Sequence, residues 1–143
     1  MERHLGKEII ALSNLIKRRM RAASESLGIT DTQARVIQYI SEESEKREVF
    51  QKDIEDTFCV RRSSVTQIIQ LLERDGFIIR ESVERDARLK KLVVTEKGYQ
   101  IEKVMKKHIQ DMEAELEGNI SPQEKEMLIN ILYKIRKNIV EEK

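Results

Sequence analysis

A mainly α chain of the α+β class, with one small antiparallel hairpin past its middle, is what the sequence predicts, and three observations carry that prediction. Charged residues make up 37% of the 143 positions and hydrophobic residues 39%, with a single Pro. Charge this dense sits on the outer faces of helices. Apolar residues recur at spacings of three and four over most of the chain, the period of a helix with one buried face. Residues 77–95 depart from that period, with two apolar runs on either side of a charged tip, the pattern of two strands and a turn.

Each element follows in order. Leu5, Ile9, Leu12, Ile16, Met20, Ala23 and Leu27 predict a long amphipathic helix over about 4–27, closed by Gly28. In Thr30-Asp31-Thr32-Gln33 the Thr hydroxyl caps free amides while Gln33 reaches back, a capping box, and Ala34, Ile37 and Ile40 follow on one face. Residues 41–49, SEESEKREV, are polar and aperiodic and read as a loop. A short helix over about 51–57 turns Ile54 and Phe58 inward. After Cys59-Val60 a stronger helix spans about 61–75 and stops at Gly76, where a left-handed cap favours glycine. Residues 77–82 and 89–95 then read as paired strands. Ile101, Val104, Met105, His108, Ile109, Met112 and Leu116 make the stripe of a further helix ended by Gly118. Ser121-Pro122-Gln123-Glu124 supplies a cap, a Pro at the first helical position and a capping Glu, and Met127, Leu128, Ile131, Leu132, Ile135 and Ile139 continue that last helix.

Composition narrows the function classes. One Cys excludes an intramolecular disulfide framework, and two His with one Cys are too few for a zinc site, so no metal and no cofactor is expected. No Ser-His-Asp set or phosphate loop is visible, so no enzyme and no catalytic residue is expected. The opening MERHLGKEII has no apolar leader core, and no apolar run approaches the roughly 18 residues of a membrane span, so a cytoplasmic protein without a membrane partner is expected. The formal net charge of +1 hides a polarity along the chain. Residues 60–91 carry eight Lys/Arg against five Asp/Glu, a net of +3, and residues 111–143 carry five against eight, a net of −3. A basic middle suits a polyanion.

Two short helices followed by a hairpin make a winged helix-turn-helix, in which the second helix enters a DNA major groove and the hairpin tip touches the flanking duplex. In the helix over 61–75, Val65, Ile68, Ile69 and Leu72 fall within a sector of about 100° and pack inward. The opposite face holds Ser63, Gln67, Gln70 and Arg74, with Arg62 and Thr66 on its flank and Ser64 beside them. Gln can bond adenine at two points, and Ser or Thr suits either kind of base edge. At the tip, Arg85 and Arg88 flank Asp86, so one guanidinium can enter a narrow minor groove while the carboxylate orients it. These ten residues are the candidate DNA-binding set.

The run SSVTQIIQLLERDGFIIRESVERDARLKKLVVTEKG, residues 63–98, resembles the MarR family of bacterial transcription regulators. The matching features are S-x-V-T from Ser63, L-x-x-x-G-F-I-x-R from Leu72, D-x-R at Asp86 and Arg88, and L-x-V-T-x-x-G from Leu92 to Gly98. The resemblance implies one domain over 1–143, with a winged helix-turn-helix core over about 30–98 and helical dimerisation segments over 1–29 and 99–143. It also implies a homodimeric repressor, less often an activator, on a pseudo-palindromic double-stranded operator, released by a small phenolic or other aromatic effector or by oxidation. Gln67 stands where the family often has Arg, which favours adenine over guanine. The periodicity points to a dimer as well, since the terminal helices bring apolar stripes that one small core does not cover.

Other readings stay open. Cys59 is an oxidant-sensing thiol or plain packing, and its apolar neighbours predict a buried thiol. His108 is an interface histidine or a ligand contact. The cluster Lys17-Arg18-Arg19-Met20-Arg21 binds an acidic ligand or is a solvated face. The alternative function is a winged-helix module that holds a protein partner without specific DNA recognition. A non-specific architectural DNA binder would need a more basic chain.

Overall fold

The computed structural model describes residues 2–140. In chain order the elements are α1 (Leu5–Ser26), α2 (Asp31–Ser44), α3 (Gln51–Phe58), α4 (Arg62–Arg74), β1 (Ile78–Val83), β2 (Asp86–Val94), α5 (Glu96–Glu117) and α6 (Pro122–Ile139). The result is the expected mainly α fold with one two-stranded antiparallel sheet. Two compact units divide within α5, the first ending at Ile109 and the second beginning at Gln110.

Helix ends form where the sequence places stop and start chemistry. Thr30 Oγ1 accepts from Gln33 N at 3.1 Å and Gln33 Oε1 accepts from Thr30 N at 3.0 Å, the reciprocal box that satisfies two unpaired amides. Ser121 and Glu124 do the same at the head of α6, with 3.1 and 3.0 Å bonds and Pro122 in the first helical position. At the end of α4, Gly76 takes φ 81° and Phe77 N donates to Leu72 O at 2.9 Å, so the chain reverses directly into β1.

The first unit buries Ile37 and Ile40 of α2, Ile54 of α3, Val65, Ile69 and Leu72 of α4, Ile78 of β1 and Leu92 of β2. At about 1.5–3 kcal/mol for each large side chain taken out of water, this core holds the helix-turn-helix against the hairpin. Met105 and Ile109 of α5 are buried too. Arg47 ties the end of α2 to α3, reaching Glu43 at 3.2 Å, Asp53 at 3.1 Å and the Tyr39 hydroxyl at 2.9 Å.

Two segments differ from the sequence expectation. The loop expected over 41–49 is shorter, because α2 continues to Ser44. Polar residues sustain it through partners four apart, Gln38 with Glu42 at 3.2 Å and Glu43 with Arg47 at 3.2 Å, which need no apolar period. Within the expected loop, Val49 is buried and its carbonyl accepts from Leu92 N at 2.7 Å, so the segment lies along β2. The second strand starts at Asp86, earlier than expected. The ladder runs evenly from Ile78↔Val94 to Ser82↔Lys90, then jumps to Val83↔Asp86, which leaves Ala87, Arg88 and Leu89 bulged out of register.

In the second unit, α6 has no buried side chain, and Met127, Leu132, Tyr133 and Ile139 are exposed. Lys125 in its first turn pairs with Glu117.

Candidate nucleic-acid interface

Amphipathicity sets the orientation of α4. Val65, Ile69 and Leu72 are buried and Ile68 is half-buried, so the opposite face, with Ser63, Ser64, Gln67, Gln70 and Arg74, is left exposed. Arg62 at its head is exposed as well. Thr66 differs from its neighbours: half-buried, it donates to Arg62 O at 2.9 Å and accepts from Gln51 Nε2 at 2.8 Å. Its hydroxyl is therefore committed to joining α3 to α4, which fixes the angle between the two helices. At the other end Arg74 is clamped on Asp75, Nε to Oδ1 at 3.0 Å and Nη2 to Oδ2 at 3.3 Å. The Arg74 hydrogen bond, helped by the charges of Arg74 and Lys97, holds the Asp75 carboxyl below the usual range against the opposing effect of burial.

The wing shows what D-x-R does. Asp86 Oδ1 accepts from the backbone N–H of Arg88 at 2.9 Å, and the guanidinium of the same residue donates at 3.3 and 3.4 Å. One carboxylate thus shapes the turn and aims the cation. The Arg88 backbone bond, then its side-chain bond, hold the Asp86 carboxyl below its ordinary value. Arg88 remains 91% exposed. Arg85 lies differently, paired with Glu48 through both terminal guanidinium nitrogens at 3.3 Å and over the Phe50 ring at 5.5 Å.

Between α3, the head of α4 and the hairpin runs a groove lined by Lys52, Arg62, Arg80, Arg88 and Lys90, with Glu55 as its carboxylate. Five cations against one acid suit a sugar-phosphate backbone. Sequence reading missed Gln51, Lys90 and Glu48, because their places come from pairings across elements, and it missed Lys52, which pairs within α3 with Asp56 at 2.9 Å and reaches the groove only through the fold. Arg80 was visible as the last residue of the G-F-I-x-R run, and Glu73 braces it at 3.0 Å.

Cys59 departs from its expectation of burial: it is exposed. It occupies the left-handed position that ends α3, at φ 53°, and that reversal turns the side chain outward while Phe58 packs edge-to-face on Tyr39 at 5.7 Å. His108, expected on the apolar stripe, is exposed too, because Met105, Ile109 and Met112 form the buried line and residue 108 falls beside it. Lys17 and Arg21 of the basic cluster line a cleft with Glu25 and Asp31, so its charge is mixed. Among the described residues no group of three or more His, Cys, Asp or Glu is placed to hold a metal ion, and no helix is long and apolar enough to cross a membrane.

A buried-faced reader helix with an amide and hydroxyl surface, followed by an arginine-tipped hairpin, defines a winged helix-turn-helix protein. A sequence model described as the MarR family matches residues 27–89. The HTH-type transcriptional regulator YybA of Bacillus subtilis is 28% identical over 91 residues, 64% of this chain and 61% of that protein. The transcription regulator MarR from Oenococcus oeni PSU-1 superimposes with a TM-score of 0.86 at 25% identity, covering 94% of this chain and 99% of that one. MepR of S. aureus, in its complex with DNA, gives a TM-score of 0.86 at 20% identity over 96% and 97% of the two chains, a likeness of fold. Over its winged helix-turn-helix core the chain is similar to the MarR family.

Proposed function

We propose that the chain is a sequence-specific, double-stranded DNA-binding transcriptional regulator that acts as a homodimeric repressor on a pseudo-palindromic operator and is released by a small ligand. The observation that carries this reading is the pairing of an uncovered reader face with a wing arginine held outward by Asp86. Ser63, Ser64, Gln67 and Gln70 meet base edges, the groove cations Lys52, Arg62, Arg80 and Lys90 meet phosphates, and Arg88 enters the flanking minor groove. Thr66 and Arg74 frame this surface from its flank and its end. Support also comes from the relatives, one an HTH-type transcriptional regulator and one solved with DNA.

The test is a duplex titration at several salt concentrations, using sites selected from a random pool. Specific affinity should fall steeply with salt, and Arg88→Ala should cost about 1–3 kcal/mol. Gln67→Ala should relax base preference with a smaller loss of overall affinity. Parent-like binding by both variants would leave the protein-interaction alternative as the better reading.

A further inference from the structure

The two wing arginines are held in opposite ways. Arg88 projects from the bulge with its side chain 91% exposed. Arg85 lies back toward the segment ahead of α3, where Nη1 donates to Glu48 Oε1 and Nη2 meets Glu48 Oε2, both at 3.3 Å, while the guanidinium carbon sits 5.5 Å from the Phe50 ring centre. Between these two partners, Val49 is 1% exposed and its carbonyl accepts from Leu92 N at 2.7 Å. One short run, residues 48–50, therefore holds β2 at its base and the hairpin at its tip.

The tip needs such a support. Pairing loses register beyond Ser82↔Lys90, so the residues that aim Arg88 lie where the ladder gives least restraint. A two-stranded hairpin is marginal by itself. Swinging Arg85 away to grip a phosphate would also strip Glu48 of its counter-charge beside a polyanion, a like-charge juxtaposition that weakens binding. Kept together, the pair presents no net charge and still fixes the tip.

We infer that Arg85 is a positioning residue: with Glu48 and Phe50 it braces the wing so that Arg88 meets DNA at a set angle, and it makes no nucleic-acid contact of its own. The brace stands on the free chain, and its purpose rests on the DNA-binding reading above.

Amide exchange and duplex titration, run on Glu48→Gln, Arg85→Gln and the double variant, test both parts. In the free protein each single change should speed exchange of the amides over 83–90 by roughly two- to fivefold, and the double change should add little. On DNA each single variant should lose the preference for flanking base pairs that Arg88→Ala loses, while keeping the half-site preference set by Gln67. Their salt slope should match the parent, whereas Arg88→Ala lowers it by about one. Unchanged or additive exchange overturns the brace. An Arg85→Gln slope lowered by about one, with tighter binding by Glu48→Gln, overturns it in favour of a phosphate contact. A parent chain without base preference, alongside the expected exchange, removes the DNA reading and leaves the brace established.

Discussion

Asp86 accepts from one residue in two ways, and the two respond differently to substitution. The backbone N–H of Arg88 at 2.9 Å is the larger cause of its lowered pKa, ahead of the guanidinium and of the charge on Arg85. Because the folded carboxyl lies below its reference of 3.8, its contribution is in full force above that value and is lost as pH falls through the lower folded value. The turn should thus be indifferent to pH through the neutral and mildly acid range. Carboxyl titration by NMR should put Asp86 below 3.8, and in Arg88→Ala still below it, though less so, because the N–H at position 88 remains. A midpoint at the ordinary value in the parent would mean that the turn does not form. The D-x-R geometry was legible in the sequence because it joins neighbours two apart. Arg85 with Glu48 spans 37 positions and Gln51 with Thr66 spans 15, and nothing local to either residue marks such a pairing.

At the scale of elements, the reader helix is set by the joint at its far end. Thr95 Oγ1 donates to Gly76 O at 2.6 Å and accepts from Gly98 N at 3.1 Å, so one hydroxyl links the end of α4 to the start of α5. Lys97 adds a bond to Asp75 O at 2.6 Å and lies 4.8 Å from the Phe77 ring centre. Gly98 is packed so closely that a Cβ there would run into the Phe77 carbonyl and stand 2.7 Å from Val94 Cγ1. Backbone cannot yield as a flexible side chain does, so Gly98→Ala should destabilise by about 1–3 kcal/mol, read as a lower urea midpoint at unchanged m. Thr95→Val keeps the shape but loses both bonds, and should cost about 0.5–2 kcal/mol. Equal stability of either variant to the parent would show that the joint bears no strain. The sequence announces the joint as T-x-x-G, and it announces both capping boxes, since caps are written within four residues. It places the start of β2 less well, because the bulge is set by pairing across the hairpin.

For the whole molecule the question is what covers the apolar faces of the terminal helices. The 18 residues of α6 bury no side chain, and Met127 and Ile139 are 65% and 74% exposed. A helix of this length draws most of its stability from packing, which α6 lacks in a single chain. On α1, Leu5, Ile9 and Leu12 are exposed in the same way. Periodicity made these stripes legible, but not their partner, since a stripe records that something is buried and not against what. A second copy is the occupant that the proposed regulator function requires: two-fold pairing would bury such stripes and would set two reader helices about 34 Å apart, on successive major grooves. Leu132→Glu should then shift the sedimenting species from two copies to one and weaken operator binding by about a hundredfold or more, because the second half-site is no longer delivered by linkage. Moving the half-sites apart by about five base pairs, half a helical turn, should weaken the parent comparably and leave the single-copy variant unaffected. A parent that sediments as one copy, or that tolerates the half-turn insertion, would mean that each chain reads DNA alone and that the exposed faces serve another partner.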